Sequence, residues 1–165
     1  MIPIRACKTA LVATIAMFFS LVVFGNLTDY ASNWAFVHHV LAMDTIFPDS
    51  TLRWRAITDP ALQRAAYALI IATEAVIAAW LWLAVWRLLR ALRGEGFHAA
   101  AGFAAIGLTL GFLLYTLGFV IIGGEWFAMW QSASWNGQQK AFGFLTMIGI
   151  VLVVLLLPEP GRAGP

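Results

Sequence analysis

Glu74 is the residue whose type and position could do the most chemistry. It falls near the middle of an apolar run at 65–85. An ionised carboxylate held in hydrocarbon costs about 2.5–3.5 kcal/mol even on lenient insertion scales. The group must therefore be neutral or satisfied by a partner. Ser20, Thr109, Tyr115, Thr116 and Thr146 fall at comparable depth in the other apolar runs, and none of those runs contains a Lys or Arg. Tyr115 is compatible with a direct contact to Glu74. Three roles stay open: a proton-carrying or ion-binding carboxyl, a hydrogen-bonded packing group between helices, or a contact with a partner subunit.

His38, His39 and Asp44 form the second concentration of reactive side chains. Adjacent histidines project about 100° apart on a helix, so they do not readily share an ion. His38 with Met43 or Asp44 offers loose donors without the i, i+4 histidine pair of a zincin helix. His98 is expected on the other side of the membrane, and a two-haem bundle needs four axial histidines where this chain has 3. No metal and no cofactor are expected. Neither Gly123-Gly124 nor Gly94-Glu95-Gly96 continues into a phosphate-binding motif, and no nucleophile elbow is present. The expectation leans away from an enzyme, a surface reaction at His38 or His39 with Asp44 being what is left of that class.

The elements that must carry these residues follow from composition. Of 165 residues, 62% are apolar and 11% charged, against about 45–50% and 25% in soluble domains. That excludes an ordinary soluble domain, and the hydropathy excludes disorder. A net charge of +2 gives no nucleic-acid footprint, and one cysteine excludes a disulfide framework. A membrane helix needs about 20 mostly apolar residues. Runs at 10–27, 65–85, 102–122 and 141–157 qualify, the last stopped by Pro158. The chain reads as a single all-α membrane domain over 1–165, a four-transmembrane-helix bundle. The first run is read as an uncleaved anchor, because no small-x-small cleavage site follows it. Cys7 precedes that run and reads as a bland residue near the membrane edge.

Arg5, Lys8, Arg87, Arg90, Arg93 and Arg162 flank the spans on one side, against Arg53, Arg55, Arg64 and Lys140 on the other. The positive-inside rule then puts both termini in the cytoplasm and the loops at 28–64 and 123–140 outside. Trp80, Trp82 and Trp86 are expected to mark the inner boundary, and Trp126, Trp130 and Trp135 the outer one. In the long first loop, 33–44 has helical composition with Ser32 or Asn33 as N-cap. Trp34, Val37, His38 and Leu41 share one face of it. It is too short to span, so it should lie along the outer interface or cover the bundle, and 52–57 is a second interfacial piece. Thr58-Asp59-Pro60 supplies a cap and an N1 proline for the next helix. Gly107, Gly111 and Gly118 form a small-residue packing face on the third span.

Asn26-Leu27-Thr28-Asp29-Tyr30, Phe36-Val37-His38-His39-Val40, Met43-Asp44-Thr45, Trp54-Arg55-Ala56-Ile57 and Gly124-Glu125-Trp126-Phe127-Ala128-Met129-Trp130 together resemble a bacterial family of predicted small integral membrane proteins, catalogued as a domain of unknown function. The resemblance covers nearly the whole chain. It implies a four-span protein of the bacterial inner membrane and transfers no activity or catalytic residue. Asp29, His38, Asp44, Arg53, Arg55, Glu125 and Gln131 would form a polar cap outside, with internal pairing of the mixed charges favoured over a recognition surface. The expected function is an accessory, scaffold or assembly subunit that meets a membrane-protein partner or a second copy in the lipid bilayer. The alternative is a small proton-linked transporter using Glu74.

Overall fold

The computed structural model describes residues 2–159; Arg162, one of the orientation markers, lies outside them. The described residues form helices α1 (Ile2–Thr28), α2 (Tyr30–Ala42), α3 (Pro60–Ala91), α4 (Phe97–Leu113) and α5 (Gln138–Leu156), with short 3-10 turns at Thr51–Arg55 and Met129–Gln131. α4 continues without a break into a π-wound stretch, Leu114–Trp126. There is no strand among the described residues. Four helices, α1, α3, α4 with its continuation, and α5, are long and apolar enough to cross a bilayer. Glu74 thus belongs to a helix of 32 residues, well beyond the apolar window around it.

Local chemistry explains where α3 begins. Asp59 accepts a hydrogen bond from the Ala61 amide at 2.7 Å, and Pro60 takes the first helical position, where its missing N–H costs nothing. α2 starts at Tyr30, three residues before the expected boundary, because Asp29, and neither Ser32 nor Asn33, occupies the cap position. The Asp29 amide still bonds the Gly25 carbonyl at 2.9 Å, so α2 follows α1 with only a bend between them.

α1 and α2 run antiparallel to α3 in one register. Trp82 Nε1 donates to Ser20 Oγ at 2.9 Å, Asn26 reaches Glu74, the rings of Tyr30 and Tyr67 lie 4.9 Å apart, and His38 meets Gln63. α2 therefore stands beside the first turns of α3. The loop end is closed by a small apolar cluster of Met43, Ile46, Phe127 and Ala128. A hydrogen bond between Thr45 Oγ1 and Ser132 Oγ at 2.8 Å joins the two loops there.

The main core joins Ile15 and Phe19 of α1, Leu81 and Leu88 of α3, Leu108 of α4 and Ile148 of α5, all 0% exposed. Leu21, Phe24, Leu69, Leu83, Ile106 and Ile150 point outward, which suits a lipid solvent as apolar as themselves. Two of the three expected packing glycines act inside the bundle. A Cβ on Gly107 would come within 2.7 Å of Trp80 Cδ1, and one on Gly111 within 2.8 Å of the Phe19 ring. Gly118 departs from that face: a Cβ there would meet only Leu114 Cδ1, at 3.9 Å. Placing Gly118 on one face with Gly107 and Gly111 requires α-helical winding, and the π turns that begin at Leu114 rotate Gly118 off the line.

Two groups read from the sequence as boundary markers also make contacts inside the bundle. Arg5 and Lys8, read as flanking charges, are 5% and 6% exposed. Arg5 pairs with Glu159 at 2.7 Å and donates to the Gly94 carbonyl at 2.7 Å, while Lys8 Nζ donates to the Leu155 carbonyl at 3.1 Å. The helices converge at this end, and the last carbonyls of α5 lack helical partners, so cations are drawn inward to satisfy them. Trp80, read as a boundary anchor, stacks on Phe103 at 4.4 Å and donates to the Phe103 carbonyl at 2.9 Å. Its i+2 and i+6 neighbours Trp82 and Trp86 do face outward.

Candidate functional site

Gln63, Tyr67 and Glu74 lie at spacings of four and seven residues, which puts them on one stripe of α3. All three are 2% exposed or less. That polar stripe on an apolar helix is the organising feature of the loop half of the bundle. Each of its members finds a partner on α1 or α2. Asn26 Nδ2 donates to Glu74 Oε2 at 2.7 Å. The Tyr67 hydroxyl donates to Asn26, at 3.3 Å from both its side-chain and its main-chain oxygen. Gln63 Oε1 lies 2.8 Å from His38 Nδ1 of α2, and Gln63 Nε2 donates to the Ile57 carbonyl of the preceding loop at 2.7 Å.

Glu74, Tyr67 and Asn26 line a cavity of about 400 Å³. Its walls also include Phe36 and Val37 of α2, Tyr115 and Phe119 of the π-wound stretch, Trp135 and Gly137 of the second loop, and Lys140 of α5. Asn136 and Lys140 are exposed, whereas Glu74 is 2% exposed, so the space runs from an exposed rim to a buried carboxyl. Tyr115 contributes to an aromatic floor, with Phe19 at 6.0 Å and Phe144 at 5.1 Å between ring centroids. Beyond that floor lie Ile15, Leu81, Leu88 and Leu108, each 0% exposed. The sequence expectation of a Tyr115–Glu74 contact is met only in part. Both line one cavity, but the hydrogen bond to the carboxyl comes from Asn26.

The remaining sequence candidates sit in the loop end. His38 Nδ1 lies 2.8 Å from Gln63 Oε1, and His39 Nδ1 lies 2.8 Å from Asp44 Oδ2. His39 stacks on Trp135 at 4.6 Å, which makes it a neighbour of the cavity wall. The three donor groups of His38, His39 and Asp44 gather within 4.8 Å of one another, closer than adjacent positions on a helix would suggest. Asp29 is exposed and accepts a hydrogen bond from Ser32 Oγ at 2.8 Å. Arg55 lies over the rings of Trp54 and Trp126 at 5.4 and 4.9 Å and donates to the Trp126 carbonyl at 3.2 Å. Glu125 accepts from Gln138 Nε2 at 3.5 Å. The cap is thus held mainly by side chain to carbonyl bonds. Arg53 donates to the carbonyls of Met43, Ile46 and Phe47. His39–Asp44 is the one contact between a basic and an acidic side chain within it among the described residues.

Asn26, Gln63 and Lys140 are the site residues that sequence reasoning passed over. Depth counting from the ends of apolar windows missed Asn26, because α3 overhangs α1 by several turns. The stripe of Gln63, Tyr67 and Glu74 was the available signal.

A family model described as a predicted small integral membrane protein (DUF2165) matches residues 4–158. No curated protein and no solved structure matches the chain.

Proposed function

This chain belongs to the family of predicted small integral membrane proteins whose model spans residues 4–158, and from that premise we propose that it is a non-enzymatic accessory protein that receives a small cationic group at Glu74. The group is carried either by a solute or by a membrane-protein partner. The observation that carries this reading is the cavity of about 400 Å³ that connects the exposed Asn136 and Lys140 to the buried carboxyl. A carboxylate at the bottom of an apolar pocket attracts a cation strongly, since little water competes with it. Tyr67, Tyr115 and Phe119 add aromatic faces that also suit a cation. The basic residues Arg5, Lys8, Arg87, Arg90 and Arg93, all at the end opposite the cavity, support an arrangement with both termini cytoplasmic and the cavity facing out of the bacterial inner membrane.

A proton-linked transporter working through Glu74 would use the same carboxyl. It also needs a route through the other half of the bundle, where Ile15, Leu81, Leu88, Leu108 and Ile148 of the core are all 0% exposed. The geometry therefore favours binding over passage within one chain. The test is gentle extraction from native membranes followed by native mass spectrometry, with wild type compared with Glu74→Gln. The expected result is a stoichiometric amine-bearing ligand or protein partner on the wild type, reduced at least tenfold on Glu74→Gln. A wild-type chain that emerges bare and solitary, or a partner held equally by Glu74→Gln, overturns the reading.

A further inference from the structure

We propose that His38, His39 and Asp44 bind a divalent first-row transition ion, zinc being the ion their donors suit best. Two imidazoles and one carboxylate form a borderline donor set of the kind such ions prefer, with a further position left for water. One donor atom from each residue lies within 4.8 Å of the others. The chain achieves this by ending α2 at Ala42 and turning left-handed at Met43, φ 51°. That turn folds Asp44 back toward the preceding helical turn, where its two carboxylate oxygens lie 2.8 and 3.0 Å from His39 Nδ1. The rings of His38 and His39 are 5.2 Å apart.

The surroundings preset the ligands. Gln63 is 0% exposed, and its amide nitrogen is committed to the Ile57 carbonyl. Its oxygen therefore faces His38 Nδ1 at 2.8 Å and must accept, so the proton of neutral His38 resides on Nδ1. The lone pair on Nε2 is left to ligate. A buried outer partner that fixes the tautomer in this way is the usual second shell of a metal-bound histidine. Trp135 holds the plane of His39 by stacking at 19°. A surface hydrogen bond between His39 and Asp44 would explain those two residues alone, but it gives no reason for the buried relay behind His38.

Entry is open, since the side chains of His39 and Asp44 are 30% and 44% exposed. A tetrahedral ion with bonds of about 2.0–2.2 Å spaces its donors about 3.3–3.6 Å apart. His39 and Asp44 would separate slightly to admit it and draw toward His38, which keeps its bond to Gln63.

The test uses the full chain with a tag free of histidine, stripped with chelator in detergent micelles and titrated with zinc and with cobalt. The expected result is one zinc per chain after desalting, with cobalt giving the visible bands of a four- or five-coordinate site. His39→Gln and Asp44→Asn should each weaken zinc by at least about tenfold. Gln63→Leu should weaken it by about tenfold with all three ligands in place. Circular dichroism and a melting curve confirm that each variant is folded. The inference fails if stripped wild type takes up less than about one fifth of an equivalent of zinc. It fails equally if folded His38→Gln/His39→Gln binds as wild type does, or if His98→Gln removes the binding instead.

Discussion

Substituting Asn26 by Leu asks what the Asn26–Glu74 hydrogen bond contributes. Leu shares the branched four-atom skeleton of Asn, so the change removes polarity while adding bulk that the adjoining cavity of about 400 Å³ can take. It leaves the Glu74 carboxyl, 2% exposed, without its 2.7 Å donor. A hydrogen bond to a charged group contributes about 1.5–3 kcal/mol in proteins, and interhelical bonds in membranes average about 0.6 with a maximum near 1.7 kcal/mol. The Tyr67 hydroxyl keeps the Asn26 main-chain carbonyl at 3.3 Å, so its share of the loss is small. Asn26→Leu should therefore cost about 1–2 kcal/mol. Glu74→Leu should cost about 1 kcal/mol, because it leaves only the Asn26 amide unpaired. The double variant replaces both partners by apolar groups and should cost at least about 1 kcal/mol less than the sum of the singles. Reversible unfolding in mixed micelles of mild detergent and dodecyl sulfate, followed by tryptophan fluorescence, measures all three. Costs that add to within about 0.3–0.5 kcal/mol would refute an energetic link between the two residues.

Three further outcomes follow from the packing and the buried hydrogen bonds. Gly107→Val should cost about 1–3 kcal/mol in the same unfolding assay, because its branches enter space held by Trp80 and Leu81; Gly118→Ala, which meets only Leu114 at 3.9 Å, should change stability by less than about 0.5 kcal/mol. Lys8→Met should leave the carbonyls of Leu155 and Leu157 without their donor, raising amide hydrogen exchange over the last turn of α5 at least tenfold while the α2–α3 contact region stays protected.

The membrane class and the four spans were legible because they depend on summed apolarity, which packing does not alter. The start of α3 was legible for a different reason: Thr58-Asp59-Pro60 is local turn chemistry, and its hydrogen bond is made within two residues. Glu74 stood out by its cost in hydrocarbon, and the structure gives it the partner that cost demands. The identity of that partner was hidden. It depends on the register of α1 against α3, which neither helix specifies alone. The histidines were hidden in a similar way, since the approach of Asp44 rests on a left-handed residue, Met43, that carries no glycine or asparagine signal. Arg5 and Lys8 look like ordinary flanking cations until the far end of α5 and the 92–94 turn are brought beside them.

The change of winding at Leu114 governs how the third span can tolerate alterations in length. Upstream, Gly107 and Gly111 are locked in phase with Trp80 and Phe19. Downstream, Tyr115 and Phe119 face the cavity, and Gly123 and Gly124 lie against Met129 and Gln138. A wide turn takes more residues to complete one revolution than an α turn. Deleting one residue within 114–126 could be absorbed by tightening a turn there, whereas the same deletion within 97–113 would swing the whole cavity wall about the helix axis. The stretch works as an angular adjuster, and the two halves of this span answer to different neighbours through it.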